Sequence, residues 1–375
     1  MSIQAYVADK IFTGEKWLTN HAVFVRNGLI DAIVLKEDLR ADIPVETNVN
    51  SFIAPAFIDL QIYGALGNLL AVKPTTETLT KTYEYTKAGG AAYYMPTVAT
   101  NTYEVFFACI DAIRNYWKEG KRGVLGLHIE GPWISKAKRG AHIEELIHAP
   151  TVQQVKDLLE YGKDVIKIIT LAPEVCSAEI INLVKSYDIV VSAGHSNATY
   201  EEATKAFDNG VGAATHLYNA MSSLQHRAPG MVGAIMQHEK VMSSIIPDGH
   251  HVDFAAVSIA KKVMKERLFI ITDAVTETNE GYYPHTMEGD KYVSNGTLSG
   301  SALTMVKAVK NCVEQVGIEL DEALRMASFY PAKVMGLENK LGKIAEGYDA
   351  SFVILNNDLN VVKTVFERQN GNLQN

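Results

Sequence analysis

Cysteine is scarce. The three in 375 residues, Cys109, Cys176 and Cys312, stand far apart and supply neither a disulfide framework nor a thiolate zinc site. No apolar run approaches the ~20 residues that cross a bilayer. The opening MSIQAYVADK lacks the apolar core of a secretory signal, so a cytoplasmic location without membrane attachment is expected. A basic excess is also missing. The formal net charge of −8 offers no footprint for nucleic acid, although one or two local arginines would suffice for a small anion. No internal repeat, low-complexity tract or charge run interrupts the chain. What is present, 47% hydrophobic and 21% charged residues, is ordinary for a globular protein. The length allows a full core and more than one structural unit.

Residues 1–52 read as short strands separated by turns. YVADKIF, HAVFVRNG and LIDAIVL cluster or alternate apolar residues, and Asn27-Gly28 between two of them is a hairpin signal. From Ile53 the pattern changes to strands alternating with helices. Eight strands are expected, at 53–63, 91–99, 124–130, 165–172, 188–195, 212–218, 242–248 and 267–273. Helical stretches fall at 76–89, 102–120, 151–161, 177–187 and 253–266, with two more at 304–317 and 320–335. Eight parallel strands with crossovers fit a (β/α)₈ TIM-type barrel better than a doubly wound sheet. After Gly336 the chain returns to strands, ASFVILN and LNVVKTVFE. The expected organisation is a β-sandwich built from residues 1–52 and 338–375 beside a catalytic barrel at 53–337.

The stretch from Asp188 to Met221 places His195 and His216 at the ends of neighbouring strands, the rim where such barrels carry their ligands. Two strand-end histidines alone are as often structural as functional. The other strand ends decide the matter. The first ends in Asp59-Leu60-Gln61-Ile62-Tyr63, the third in His128-Ile129-Glu130, the seventh in Asp248-Gly249-His250-His251 and the eighth in Thr272-Asp273. Glu130, His195 and His216 make the one-carboxylate, two-imidazole set of a catalytic zinc with a position left for water. Asp273 would then accept and return the water proton. An isolated aspartate at a strand end is ordinarily a helix cap; in this company catalysis is the better reading.

These residues lie within longer motifs: PAFIDLQ, GLHIEGPW, GAHIEELI, SAGHSNATY, ATHLYNAMS, HRAPG, DGHHVD, TDA, SGSALTM and LGKIAEGYDASFVIL. Through them nearly the whole chain resembles the amidohydrolase superfamily and, within it, the N-acetylglucosamine-6-phosphate deacetylases. The resemblance implies hydrolysis of the acetamide of a 6-phosphorylated amino sugar. It makes Glu130, His195 and His216 the metal ligands, Asp273 the general base and acid, and His251 the group that polarises the acetyl carbonyl. It places Gln61, His142 and Leu303 (within Gly300 to Met305) on the substrate. It assigns the phosphate to Asn219, the Ala220 backbone and Arg227, with Arg227 reaching the neighbouring site in a homodimer or tetramer. The galactosamine epimer, another mononuclear N-acyl deacylase and a non-catalytic sugar-phosphate sensor are the rival readings.

One departure from many amidohydrolases matters. Where those carry His-x-His to hold a second metal, this chain has Gln61 and Tyr63. An amide and a phenol are poor substitutes for imidazoles. One divalent ion per chain is therefore expected: zinc first, with iron, cobalt or manganese also compatible with the donors. His21, His148, His238 and His285 read as surface or satisfied core residues, and His250 as solvent-facing or structural. His226, beside Arg227, reads more often as a residue without a role than as one that shapes the phosphate loop. Cys109 and Cys312 read as small core residues. Trp133 is expected to pack beneath a rim loop, with Gly140 to Glu144 as a covering segment.

Overall fold

The computed structural model describes residues 3–294 and 296–366. Eight parallel strands form its centre: β1 (Phe57–Ile62), β2 (Ala91–Ala99), β3 (Leu127–Glu130), β4 (Ile166–Leu171), β5 (Val190–Ala193), β6 (Ala213–Ala214), β7 (Met242–Ile245) and β8 (Leu268–Ile270). Each pairs with the next in sequence. The ring closes between β8 and β1, where the Asp273 amide donates to the Gln61 carbonyl and the Tyr63 amide to Ala274, both at 2.9 Å. Buried Asp59 stitches the same seam, accepting from the Thr272 hydroxyl and, at 3.1 Å, from its amide. Burial pushes its carboxyl up to about 7.

Helices cover the outside: α1 (Thr76–Ala88), α2 (Tyr103–Lys118), α3 (Val152–Gly162), α4 (Ala178–Lys185), α5 (Tyr200–Asp208), α6 (Gly230–Gln237), α7 (Phe254–Met264), α8 (Met305–Glu314), α9 (Leu320–Ala327) and α10 (Phe329–Val334). Their starts are written in the sequence. Thr151 with Gln154 and Thr199 with Glu202 form capping boxes at α3 and α5, each satisfying two orphan amides. On α8 the buried residues Met305, Ala308, Val309 and Cys312 follow helical spacing, which turns one face onto the barrel. Cys109, Cys176 and Cys312 are all free and buried.

Both ends of the described chain build the second unit. A five-stranded sheet runs in the order Val361–Phe366, Ser351–Asn356, Ser51–Pro55, Lys10–Phe12, Trp17–Thr19. It packs on a four-stranded one, ordered Leu29–Leu35, His21–Arg26, Ile3–Val7, Val45–Thr47. Tyr6, Val23 and Ile30 from one sheet meet Ile53, Phe352 and Ile354 from the other in a shared core. Asn27 and Gly28 turn the expected hairpin with φ of +52° and +80°, the twist that a two-residue turn needs. Residues 367–375 of the expected C-terminal segment lie outside the described residues.

Several expected boundaries move. The strand expected at 53–63 is two: Ser51–Pro55 pairs with the sandwich strands, and only Phe57 onward joins the barrel. The strands expected to end on His195 and His216 leave the ladder at Ala193 and Ala214. The histidines themselves are left-handed, with φ of +47° and +40°, which no ladder accommodates. The helix expected at 320–335 breaks at Ser328, because Pro331 has no amide for the Ala327 carbonyl. A three-stranded antiparallel sheet, Thr286–Glu288, Lys291–Ser294 and Thr297–Ser301, has no counterpart in the reading of the sequence.

One charged cluster ties α7, α9 and α10 together. Lys261 bonds Glu322, which also takes Arg325 Nε at 2.8 Å and the Tyr330 hydroxyl at 2.9 Å. Burial pushes the Glu322 carboxyl up, but Lys261 and Arg325 outweigh it and hold the group below its usual range. The stability this adds is present above the unfolded value of about 4.3 and is lost as pH falls through the lower folded value. Glu322→Gln is expected to lose about 1–3 kcal/mol at neutral pH, read by urea unfolding. The gap to the parent protein should close in acid; a constant gap would show that the charge is not what stabilises.

Candidate metal centre

The rim residues are presented by backbone that leaves the sheet. His195, His216 and Asp273 all lie in the left-handed region, the last at φ +55°. Conformations of this kind, unusual away from glycine, persist where surrounding bonds over-determine them. Here the His195 carbonyl takes the Ser135 amide at 2.9 Å, the His216 amide donates to Ser244 Oγ at 2.7 Å, and the Asp273 carbonyl takes the Ser301 amide at 3.0 Å.

Three donor atoms converge. His216 Nε2 is 3.1 Å from both Glu130 Oε1 and His195 Nε2, and His195 Nε2 is 3.3 Å from the same carboxylate oxygen. All three residues are buried. Ligands bound tetrahedrally at ~2.0–2.1 Å stand about 3.3 Å apart, so the triangle fits a small divalent cation. The donor chemistry fits as well: one carboxylate oxygen and two imidazole nitrogens are a set that catalytic zinc sites use, and this group could hold such an ion. His195 Nδ1 lies 3.0 Å from the Lys138 carbonyl, which fixes the tautomer and points the Nε2 lone pair inward. His216 Nδ1 is buried with no partner among the described residues.

Charge in the cluster is set by mutual contact. Burial pushes Glu130 up, but the imidazoles of His195, His142 and His216 outweigh it and hold the carboxyl well below its usual range. Burial pushes His216 down, yet Glu130 outweighs it and keeps the ring above the imidazole range.

A second ring of residues orients the first. The Tyr63 hydroxyl donates to Glu130 Oε2, and Gln61 Nε2 lies 2.9 Å from that hydroxyl, 3.1 Å from Glu130 Oε1 and 2.7 Å from Asp273 Oδ1. His142 Nε2 is 3.4 Å from Glu130 Oε2, and its Nδ1 is 2.7 Å from Thr100 Oγ1. Burial lowers His142 to about 4, so its ring is neutral. The Tyr283 hydroxyl donates to the Thr100 carbonyl at 2.5 Å, so the 276–285 loop braces the same corner. His251 Nε2 stands 4.0 Å from Asp273 Oδ2, while its Nδ1 is 2.6 Å from Asp248 Oδ2. Burial pushes the Asp273 carboxyl above its usual value, only partly opposed by His216.

The structure therefore gathers Gln61, Glu130, His142, His195, His216, His251 and Asp273 in one pocket. Asn219 is half-buried on the loop after His216, and Ala220 beside it is left-handed at φ +50°. Arg227 is exposed on the turn closed by Gln225 and Ala228, without an ion pair among the described residues, and His226 is exposed beside it. Leu303 is buried just beyond the antiparallel sheet, its amide on Ser301 Oγ at 3.0 Å. His250 bonds Asp290 at 2.6 Å, buried His285 lies 2.8 Å from Ser299 Oγ, and buried Trp133 donates to the Tyr103 hydroxyl at 3.3 Å. The orienting roles of Tyr63, Asp248, Thr100 and Tyr283 escaped the sequence reading. Two had a signal: Tyr63 shares a strand face with Gln61 by period two, and Asp248 precedes His251 by three residues.

Residues 52–373 match the amidohydrolase family, and residues 5–47 match the NagA composite domain. The chain belongs to the amidohydrolase family. It is 34% identical to N-acetylglucosamine-6-phosphate deacetylase of Haemophilus influenzae, over 95% of this chain and 96% of that one. It is 32% identical to N-acetylgalactosamine-6-phosphate deacetylase of Escherichia coli O157:H7, over 94% and 95%. The crystal structure of N-acetylglucosamine-6-phosphate deacetylase from Pasteurella multocida matches with a TM-score of 0.94 at 37% identity, covering 98% of both chains. No helix among the described residues is long and apolar enough to cross a membrane.

A triangle assembled from β3, β5 and β6 exists only in the folded chain, so an ion bound there stabilises the fold. A divalent ion at a thousand times its Kd should add about 4 kcal/mol, seen as a rise in Tm of metal-stripped protein that His195→Ala abolishes. Because His216 holds its proton more tightly than a free imidazole, the ion competes less well as pH falls, and metal affinity should drop with it. An equal rise in His195→Ala would place the ion elsewhere.

Proposed function

We propose that the protein hydrolyses the N-acetyl group of N-acetyl-D-glucosamine 6-phosphate to D-glucosamine 6-phosphate and acetate. The Glu130–His195–His216 triangle with Asp273 beside it carries this reading, in a chain similar over nearly its whole length to deacetylases of that sugar. The glucosamine epimer is preferred because relatives from Vibrio furnissii and Homo sapiens and the structure from Thermotoga maritima bear the same name.

Glu130, His195 and His216 would hold one divalent ion, zinc before iron, cobalt or manganese. Gln61 and Tyr63 fill the space where a second imidazole pair would be needed for another. The bound ion supplies Lewis-acid polarisation of the acetyl carbonyl and of the attacking water. Asp273 takes the water proton and returns it to the departing amine. Gln61 occupies Asp273 Oδ1 at 2.7 Å, which leaves Oδ2, on the His251 side, as the oxygen that carries the proton. With Nδ1 committed to Asp248, His251 turns its Nε2 edge to the acetyl oxygen and helps polarise the carbonyl as charge develops there. His142 and Leu303 border the sugar. Asn219, the Ala220 amide and Arg227 bind the phosphate, and the exposure of Arg227 suits a reach into a neighbouring subunit of a homodimer. A phosphorylated substrate and three reduced cysteines agree with a cytoplasmic setting.

Asp273→Asn should lower kcat by about 10²–10⁴-fold while metal content stays at the parent level. Near-full turnover would reject the proton route. Arg227→Ala should raise KM for the phosphorylated sugar roughly 10–100-fold, with little change for the unphosphorylated one. Equal loss on both sugars would remove Arg227 from the phosphate site.

A further inference from the structure

We propose that Tyr63 is a positioning residue: its hydroxyl restricts Glu130 to one-oxygen ligation and seats the Gln61 amide on Asp273. The inference rests on the reading of Glu130 as a metal ligand. The two carboxylate oxygens have different surroundings. Oε1 faces His195 and His216 at 3.3 and 3.1 Å. Oε2 points away from them, taking the Tyr63 hydroxyl and lying 3.4 Å from His142 Nε2. A carboxylate free to rotate can offer both oxygens to a cation. One whose outer oxygen carries a phenolic hydrogen bond offers only the inner one.

The same hydroxyl organises the base. A phenol has one proton, and here it is spent on Glu130, so the oxygen faces Gln61 as an acceptor, 2.9 Å from Nε2. That nitrogen is also surrounded by Glu130 Oε1 and Asp273 Oδ1. Two carboxylates and a phenol oxygen around one amide end can only be matched by its NH₂, so the flip state follows from the chemistry. Tyr63 and Gln61 are two residues apart on one face of the strand end, with Ile62 turned into the core between them. One hydroxyl thus couples the carboxylate of the triangle to the amide that holds the proton acceptor. Phenylalanine at this position would keep the ring and its packing and delete only that coupling.

The test is Tyr63→Phe in the full-length protein, stripped of metal and titrated with cobalt(II) against a chelator, with the visible absorption recorded at saturation. Orienting partners of ligands are typically worth 10–100-fold in metal affinity. The expected result is a 10–100-fold weaker cobalt complex with a less intense visible band, as Glu130 adds its second oxygen and coordination number rises. Loss of a buried hydrogen bond should lower the Tm of the metal-free variant modestly, whereas a purely structural role would lower Tm and leave both affinity and band unchanged. Parent-level affinity together with the parent spectrum would overturn the proposal. Glu130→Gln separates the two levels of inference. Cobalt lost in Glu130→Gln but unchanged in Tyr63→Phe rejects the role of Tyr63 alone, whereas parent protein that binds no cobalt rejects the metal centre itself.

Discussion

Glu130 Oε1, His195 Nε2 and His216 Nε2 are held within 3.3 Å of one another in a buried pocket. Electron-rich atoms at that spacing repel unless positive charge lies among them. Much of the surrounding architecture serves to impose this convergence. Three barrel strands aim the side chains, left-handed backbone at His195 and His216 turns them inward, and the Lys138 carbonyl fixes one ring. A proton would relieve the repulsion in the bare protein, and a divalent ion bound among these atoms would take its place. Folding, metal affinity and pH are coupled through that exchange.

Barrel closure and the candidate site share residues. The seam between β8 and β1 is made by Asp59, Thr272, Gln61 and the Asp273 backbone. Asp273, the proposed proton acceptor, is thus part of the joint that completes the ring. Its position relative to the triangle is inherited from the closure of the sheet rather than from a mobile loop, which suits a group that must move a proton over a fixed short distance.

The barrel and the triangle were legible because both are written in strand periodicity: eight apolar runs, with chemistry-bearing residues at their ends. Where legibility failed, a local force overrode the pattern. SFIAPAFIDLQ is one continuous apolar run, and only pairing partners reveal that Ser51–Pro55 and Phe57–Ile62 belong to different units. The antiparallel sheet between Thr286 and Ser301 comes from a polar, glycine-punctuated stretch whose periodicity is too weak to read. The hold of Thr100 on His142 joins residues 42 apart and leaves no trace in spacing. The pairing of Tyr63 with Gln61 on one strand face was readable, but their shared attachment to Glu130 across 67 and 69 residues was not.

The most direct test of this active site is acetate release by the purified protein from three sugars side by side: N-acetylglucosamine 6-phosphate, its galactose epimer and unphosphorylated N-acetylglucosamine. The expected result is fast release from the first, slower release from the epimer and poor release without phosphate. No acetate from any of the three by metal-loaded protein would contradict the assignment, and equal rates with and without phosphate would contradict the Asn219–Ala220–Arg227 clamp.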